Sequence, residues 1–167
     1  MIRLVLCYLG LGSNVNDRPG MIARAAVCLA SRGDIVIRKL SHLYLTRPWG
    51  ETDQEDFVNA AMEVETHLSP AELLEAAKAV ERGLGRRPGR RWGPREIDID
   101  ILFYGEEVVK RIDLTIPHPR MCERAFVLAP LAEIAPDLVH PETGVRMTAY
   151  LAEIEKGGDR WSTSPTI

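Results

Sequence analysis

The chain has 167 residues, of which 46% are hydrophobic and 27% are charged, and its formal net charge is −3. These values are typical of a globular domain in water, and a chain of this length can bury a core without disulfide bonds or structural metal. The charge is uneven: residues 82–95 hold six arginines and no acid, and removing them takes the net charge from −3 to −9. That pattern favours a local anion site over a nucleic-acid-binding domain, which is more often basic throughout.

The first half of the chain predicts a strand, a helix and two further strands. The apolar run at 4–11 is too short to span a bilayer and leads into Gly12-Ser13-Asn14 instead of a cleavage site, so residues 3–11 are predicted as a buried strand. A helix capped by Asn16 or Asp17 follows, to about Ser31. Strands are predicted at 34–46 and 57–66, with the polar loop 47–56 between them.

The second half predicts a helix, a strand and several smaller elements. Ser69, Pro70 and Glu72 form a capping box at the start of a helix that ends at Gly83 or Gly85. A strand follows the arginine-rich segment. A short strand is predicted near Val108. Helices are predicted near 121–134 and 148–155, with a hairpin between them at 138–145.

The order of these elements is β-α-β-β-α-β, which predicts an α+β fold: a ferredoxin-like sandwich with additional C-terminal elements. We expect residues 1–156 to form a single domain and residues 157–167 to form a flexible tail. The cysteines Cys7, Cys28 and Cys122 are odd in number and lie in apolar segments. They predict reduced thiols and a cytoplasmic location, with no disulfide framework or zinc site.

The stretch GPREIDIDILFYG, residues 93–105, places two carboxylates inside an apolar strand. Asp98 and Asp100 project from one face because side chains alternate along a strand. Two like charges so close together are costly unless a cation compensates them. Either this face is exposed to solvent, or the pair binds a divalent cation such as Mg²⁺, which prefers carboxylate oxygens and takes further ligands from phosphates.

The arginine-rich segment favours the cation site, because Arg95 lies three residues before Asp98. Enzymes that transfer phosphoryl groups commonly use metal ions and guanidinium groups to position and neutralise the phosphates. Four glycines and two prolines in 82–95 are typical of a mobile loop that closes over a substrate. A solvated basic loop, or a strip that contacts RNA, is the alternative.

Other polar and aromatic residues are ambiguous by themselves. Asn59 in a predicted strand is either a hydrogen-bonding partner for a heterocycle or a satisfied core amide. Trp49 and Trp92 either stack on a flat ligand or simply pack, and His118 either approaches a phosphate or is structural. The pattern around Phe126 is typical of a core residue.

Five stretches together resemble the 6-hydroxymethyl-7,8-dihydropterin pyrophosphokinase family of the folate pathway. They are YLGLGSNVNDRPG, LYLTRPWG, FVNAAMEVET, RWGPREIDIDILFYG and LTIPHPRMCERAFVLAPLAEIAPD, in chain order from about residue 8 to residue 140. The resemblance implies a ferredoxin-like fold and an Mg²⁺-dependent transfer of pyrophosphate from ATP to the pterin hydroxymethyl group, releasing AMP. It implies no partner beyond ATP and the pterin, no nucleic acid and no membrane, and we expect a monomer.

The resemblance also implies roles for individual residues. Asp98 and Asp100 match the family's ligands for two Mg²⁺ ions, and Arg86 and Arg95 match its catalytic loop arginines. The nucleotide-binding positions are Glu81, Trp92, Arg95, Ile101, Thr115, His118 and Arg124. The pterin-binding positions are Thr46, Trp49, Phe57, Asn59 and Phe126. Pro119 and Asp113 replace a tyrosine and an arginine of some relatives, a change expected to weaken ATP binding.

Two other functions remain as alternatives. A nucleotidyltransferase combines a Gly-Ser motif with Asp-x-Asp, but here the aspartates follow Gly12-Ser13 by 85 residues instead of closely. An RNA-binding module shares the β-α-β-β-α-β order but needs aromatic residues on its central strands, where this chain has Asp98 and Asp100.

Overall fold

A computed structural model describes residues 3–48, 50–89, 93–158 and 162–163. In this part of the chain it contains four α-helices and eight strands. The strands are β1 (Val5–Ser13), β2 (Ile35–Leu40), β3 (Tyr44–Thr46), β4 (Phe57–Thr66), β5 (Asp98–Tyr104), β6 (Val109–Lys110), β7 (Thr115–Ile116) and β8 (Ser162–Thr163). The helices are α1 (Arg18–Ala30), α2 (Pro70–Gly83), α3 (Ala125–Ile134) and α4 (Met147–Lys156), with a 3₁₀ turn at Met121–Glu123.

The starts of the first two helices follow from local sequence. The Asp17 side chain accepts a hydrogen bond from the Gly20 amide at 3.0 Å and caps α1. At α2 the predicted capping box is confirmed: the Ser69 hydroxyl accepts from the Glu72 amide, and the Glu72 carboxylate accepts from the Ser69 amide. Such a cap contributes about 1 kcal/mol, so it fixes where the helix begins more than whether the fold forms.

The main sheet is antiparallel, with strand order β5-β1-β4-β3-β8, and β2 also pairs with β4. Strand β1 lies between β4 and β5 and pairs with both along most of its length. The predicted mixed fold with an antiparallel sheet is therefore confirmed. Strands β6 and β7 form a separate hairpin.

One predicted strand is wrong as a single unit, because 34–46 divides into β2 and β3. The interruption is at Ser41, whose amide donates to the Ala61 carbonyl while its hydroxyl accepts from the Ala61 amide at 2.9 Å. A side-chain oxygen thus takes the place of a backbone carbonyl in the ladder. Local hydrogen bonding of this kind is not visible in the alternation of apolar residues.

Each face of the sheet is covered by a different helix pair. One face packs on α1 and α2 through Leu9, Leu11, Met62 and Ile99, all at most 3% exposed. The other face packs on α3 and α4 and contains a smaller apolar cluster around Phe103. Toward the Asp98 end, this second face bears polar side chains instead.

Two residues of the predicted tail, Ser162 and Thr163, pair with Leu45 and Tyr44 in β3. Residues 159–161 and 164–167 lie outside the described part of the chain, so the tail stays a prediction there. Among the described residues, no helix is both long and apolar enough to cross a membrane.

Candidate functional site

Strand β5 separates its apolar and acidic residues between the two faces of the sheet. Ile99 and Ile101 are 1% and 4% exposed and belong to the core under α1 and α2. Asp98 and Asp100 project from the opposite face and are only partly buried. The alternation predicted from the sequence is confirmed, and it leaves both carboxylates at the edge of a cavity.

The floor of that cavity is made of glycine. Gly12 pairs with Asp98 and Gly10 with Asp100 across β1 and β5, and on the other side Gly12 pairs with Asn59 of β4. A Cβ at Gly12 would lie 3.0 Å from the Asn59 Oδ1 atom. Because Gly10 and Gly12 have no side chains, a trough remains above β1 between the two carboxylates and the Asn59 amide.

We call this trough the main cavity; the space along its walls, including the part open to solvent, is about 840 Å³. Its apolar and polar walls come from all three central strands, from α3 and from the segment before β5. The lining residues are Gly10, Leu11, Gly12, Thr46, Arg47, Phe57, Asn59, Ala60, Gly93, Arg95, Asp98, Asp100, Leu102, Arg124, Phe126 and Val127.

A second depression, the side cleft, also borders Asp100, and its space, including the part open to solvent, is about 640 Å³. It is lined by Leu74, Lys78, Ile99, Asp100, Ile101, Ile112, Asp113, Leu114, Thr115, His118 and Pro119. Asp100 lines both spaces, so a ligand in one and a ligand in the other would meet at this carboxylate.

Asp98 is held by an ion pair with the arginine-rich segment. Arg86 Nη1 lies 2.7 Å from Asp98 Oδ1 and 2.5 Å from Glu81 Oε2. Glu81 is 2% exposed, and its Oε1 atom accepts a hydrogen bond from the Ile99 amide at 2.7 Å. Burial would lower the pKa of Arg86, but the charges of Asp98 and Glu81 raise it overall. Arg86 therefore stays charged and compensates Asp98.

Asp100 is compensated only in part, by the charges of Lys78 and Arg124. Burial and then the charge of Asp98 raise the pKa of its carboxyl from 3.8 to about 7. Two adjacent carboxylates with oxygen donors only, one of them hard to ionise, fit a hard divalent cation. Among the described residues no group of three or more His, Cys, Asp or Glu side chains could hold a metal ion. A bound cation would therefore take its remaining ligands from water or from a substrate.

His118, in the side cleft, is a neutral hydrogen-bond donor. Burial and the charge of Arg124 lower its pKa from 6.5 to about 4. Its Nδ1 atom accepts from the Arg120 amide at 3.3 Å, which leaves the proton on Nε2. The imidazole can therefore donate to an anion without bringing a charge.

The main cavity contains an oriented amide and aromatic rings. Asn59 is 6% exposed, and its Nδ2 atom donates to the Thr46 hydroxyl at 2.7 Å. Phe57 and Phe126 line the same cavity, and the Arg124 guanidinium lies 5.6 Å from the centre of the Phe126 ring. A cavity that contains aromatic rings and an amide fixed by a neighbour is suited to a flat heterocycle with polar edges.

The structure therefore brings most of the predicted site residues together. Thr46, Phe57, Asn59, Arg95, Arg124 and Phe126 line the main cavity, and Ile101, Thr115 and His118 line the side cleft. Arg86 and Glu81 line neither space, but Arg86 forms ion pairs with both Glu81 and Asp98. Trp49 and Trp92 lie outside the described residues. The individual roles of all these residues stay predictions.

Sequence reasoning missed several lining residues. Gly10 and Gly12 form the floor, Arg47 lines the main cavity and Lys78 lines the side cleft. A signal was present for the glycines, since two glycines inside a buried strand mark a place where something approaches the backbone closely. Arg47 and Lys78 gave no such signal, because surface cations are common.

Comparison with solved structures identifies the fold. A crystal structure of an HPPK-DHPS protein in complex with substrates superposes with a TM-score of 0.73 at 16% identity, covering 93% of this chain and 44% of that one. A Plasmodium falciparum HPPK-DHPS triple mutant with pteroate gives 0.74, with the same identity and coverage. This chain spans less than half of each of those proteins, and at such identity the likeness shows the fold alone.

Comparison of sequences identifies the family. The chain is 49% identical over 151 residues to the 2-amino-4-hydroxy-6-hydroxymethyldihydropteridine pyrophosphokinase of Methylorubrum extorquens, covering 90% of this chain and 94% of the relative. The Bacillus subtilis protein of the same name is 46% identical over 129 residues, 77% of each chain. The sequence profile of the 7,8-dihydro-6-hydroxymethylpterin-pyrophosphokinase (HPPK) family matches residues 8–136. With the site described above, these matches lead to one conclusion: the chain belongs to the HPPK family.

Proposed function

We propose that this chain transfers the pyrophosphate group of ATP to the hydroxymethyl group of 6-hydroxymethyl-7,8-dihydropterin in folate biosynthesis. The products are the pterin diphosphate and AMP. Membership in the HPPK family supports the transfer. The observation that carries the geometry is the position of Asp100 on the border of two cavities. A transfer between two substrates needs such a shared point.

The pterin is assigned to the main cavity. Its flat ring fits between Phe57 and Phe126, and its polar edge faces the Asn59 amide held by Thr46. The glycine floor at Gly10 and Gly12 gives the ring room above β1. In this pose the hydroxymethyl group points along the trough toward the carboxylates.

ATP is assigned to the side cleft. In this assignment Thr115 and the Ile101 backbone would hold the adenine, and neutral His118 would donate to a phosphate; all three residues line the cleft. The triphosphate then extends past Asp100 toward Arg95 and Arg124 in the main cavity. Because these guanidinium groups carry fixed charge into a partly buried site, they would stabilise the phosphates more than solvent-exposed lysines could.

Asp98 and Asp100 are the residues that would hold two Mg²⁺ ions with ATP. When bound, the ions neutralise phosphate charge and polarise the reacting oxygens. Arg86 contacts only Oδ1 of Asp98, so an ion that used both oxygens would displace Arg86 toward a phosphate oxygen. Glu81, tied to the Ile99 amide, keeps the strand in register while Arg86 moves.

In the transfer, the pterin hydroxyl oxygen bonds to the β-phosphorus of ATP. The bond from that phosphorus to the oxygen bridging to the α-phosphate breaks, AMP leaves, and the hydroxyl proton passes to water. This chain contributes by aligning the two substrates and by keeping water from attacking the β-phosphorus in place of the pterin hydroxyl.

We further propose that the fold is ferredoxin-like in detail. The sheet order β5-β1-β4-β2 with helices α1 and α2 on one face supports this. A cytoplasmic location and a monomeric state remain predictions from the sequence. The thiols of Cys7, Cys28 and Cys122 are free, as a reducing compartment requires.

The test is product analysis. The protein is incubated with ATP, Mg²⁺ and the hydroxymethyl dihydropterin, and we expect AMP and the pterin diphosphate in equal amounts. Chelating Mg²⁺ with EDTA should stop the reaction, and excess Mg²⁺ should restore it. Formation of ADP or free pyrophosphate instead of AMP would overturn the proposal.

A further inference from the structure

Asn14 follows β1 directly, and its side chain is 2% exposed. It lines neither cavity, so it is not positioned to touch a substrate. Its neighbours on the two sides are the segments that lead into β5 and β4. These are the strands that carry the acidic pair and the pterin-facing residues. Asn14 thus lies between the two halves of the candidate site.

On one side, Asn14 and Arg95 form a closed pair of hydrogen bonds. The backbone amide of Arg95 donates to the side-chain Oδ1 of Asn14 at 2.7 Å. The backbone amide of Asn14 donates in return to the Arg95 carbonyl at 3.1 Å. These contacts join residues 81 positions apart. They fix the backbone from which the Arg95 side chain enters the main cavity.

On the other side, Asn14 holds the segment before β4. Its Nδ2 atom donates to Gln54 Oε1 at 2.8 Å and to the Glu55 carbonyl at 3.1 Å. Glu55 lies two residues before Phe57, which lines the main cavity. Both Nδ2 protons and the Oδ1 atom are therefore used.

Only asparagine satisfies this arrangement. Turning the amide by 180° would place two donors together at the Arg95 amide and oxygens together at Glu55, so the partners fix its orientation. Aspartate would keep the bond to Arg95 but lose both donations to Gln54 and Glu55. Alanine would lose all three side-chain bonds.

We propose that Asn14 is a positioning residue that ties Arg95 to the pterin side of the site, so that the arginine is held correctly for catalysis. This inference rests on the proposed function. Arg95 is a candidate phosphate ligand, and a guanidinium displaced by about 1 Å can cost about a hundredfold in rate. Asn14 acts through Arg95 and not on either substrate.

The kinetic test compares Asn14→Ala in the natural protein and in the Arg95→Ala background. We expect Asn14→Ala to lower the single-turnover rate by about ten- to a hundredfold at saturating substrates. In the Arg95→Ala background the same change should cost less than about threefold, since coupled residues are not additive. An equal loss in both backgrounds, or no loss in the natural protein, would overturn the proposal.

The matched control is Thr66→Val at the opposite end of β4. Thr66 is fully buried, and its hydroxyl donates to the Asp34 carbonyl and accepts from the Leu68 amide. Loss of this hydroxyl should lower thermal stability, as loss of the Asn14 hydrogen bonds should, without changing the turnover rate. If Thr66→Val slows turnover as much as Asn14→Ala does, the effect of Asn14 is general destabilisation and the proposal is wrong.

A second readout does not depend on activity. Amide hydrogen exchange followed by NMR should show the Arg95 amide protected in the natural protein and in Asn14→Asp, but not in Asn14→Ala. Equal protection in all three proteins would show that the Asn14 side chain does not hold the Arg95 amide, and the proposal would be wrong. If the natural protein makes no AMP yet shows this pattern, the proposed function fails while the tie to Arg95 stands.

Discussion

The two faces of β5 have the same backbone and opposite tasks. On one face Ile99 and Ile101 lie in the core at the edge of the side cleft, and on the other Asp98 and Asp100 border the main cavity. The isoleucines stabilise the strand by burial, whereas paired carboxylates repel each other and cost stability where no cation compensates them. Burial of the isoleucine face therefore holds the strand in place. This stability allows the opposite face to keep two neighbouring carboxylates that repel each other.

The largest effect should come from the acidic face. We expect Asp98→Asn and Asp100→Asn each to lower turnover at least about a hundredfold, because even indirect partners of metal ligands contribute ten- to a hundredfold. The fold should remain intact, since neutralising one carboxylate relieves repulsion. Steady-state kinetics and thermal melts of both variants provide the measurement.

The opposite face supplies the control for that prediction. Ile97→Val, in the core directly before β5 and outside both cavities, should cost about 0.5–1.5 kcal/mol of unfolding free energy and leave turnover unchanged, because it removes one buried methyl group. If Ile97→Val impairs turnover as strongly as the aspartate variants, the two faces do not have separate tasks.

Arg95→Ala should have the next largest effect. A hydrogen bond to a charged group contributes about 1.5–3 kcal/mol, which corresponds to about ten- to a hundredfold in rate. The loss should appear in the single-turnover rate because Arg95 is expected to act on the phosphates during the transfer. An unchanged single-turnover rate would refute this role.

Thr46→Val should have a smaller and more selective effect. Valine keeps the shape of threonine but no longer accepts from Asn59 Nδ2, so the amide loses its fixed orientation. We expect the KM for the pterin to rise about two- to tenfold, from about 0.5–1.5 kcal/mol of lost hydrogen bonding. The KM for ATP should stay constant, and a rise in both constants would contradict the assignment of the pterin to the main cavity.

The last prediction concerns stability instead of turnover: its pH dependence should depend on a residue of the side cleft. The pKa of His118 is about 4 in the folded protein against an ordinary value of 6.5. As pH falls below 6.5 the unfolded chain takes up a proton that the folded protein resists, so stability should decrease between pH 6.5 and pH 4. Urea unfolding of the natural protein and His118→Asn should show a shallower pH dependence in the variant. Identical slopes would indicate that His118 titrates normally.

Local patterns predicted those parts of the structure that depend on near neighbours. The capping box at Ser69 and Glu72, the separation of Asp98 and Asp100 from the isoleucines, and the strand at 57–66 all follow from contacts within a few residues. The break at Ser41 was missed because it depends on Ala61 in another strand. The two glycines of β1 indicate a close approach to the backbone, but the cavity floor that they form depends on β1 lying between β4 and β5.

The sequence by itself determined which residues alternate, where α1 and α2 begin, and which motifs place the chain in its family. The tertiary structure decided which of those residues meet. It placed Asp100 on the border of two cavities, turned Arg86 onto Asp98, and joined Asn14 to Arg95 across 81 positions. The alternation of apolar and polar residues in the sequence indicates only the direction in which a side chain leaves its own backbone. Distances between distant segments are set by how the strands pair and how the helices pack on them.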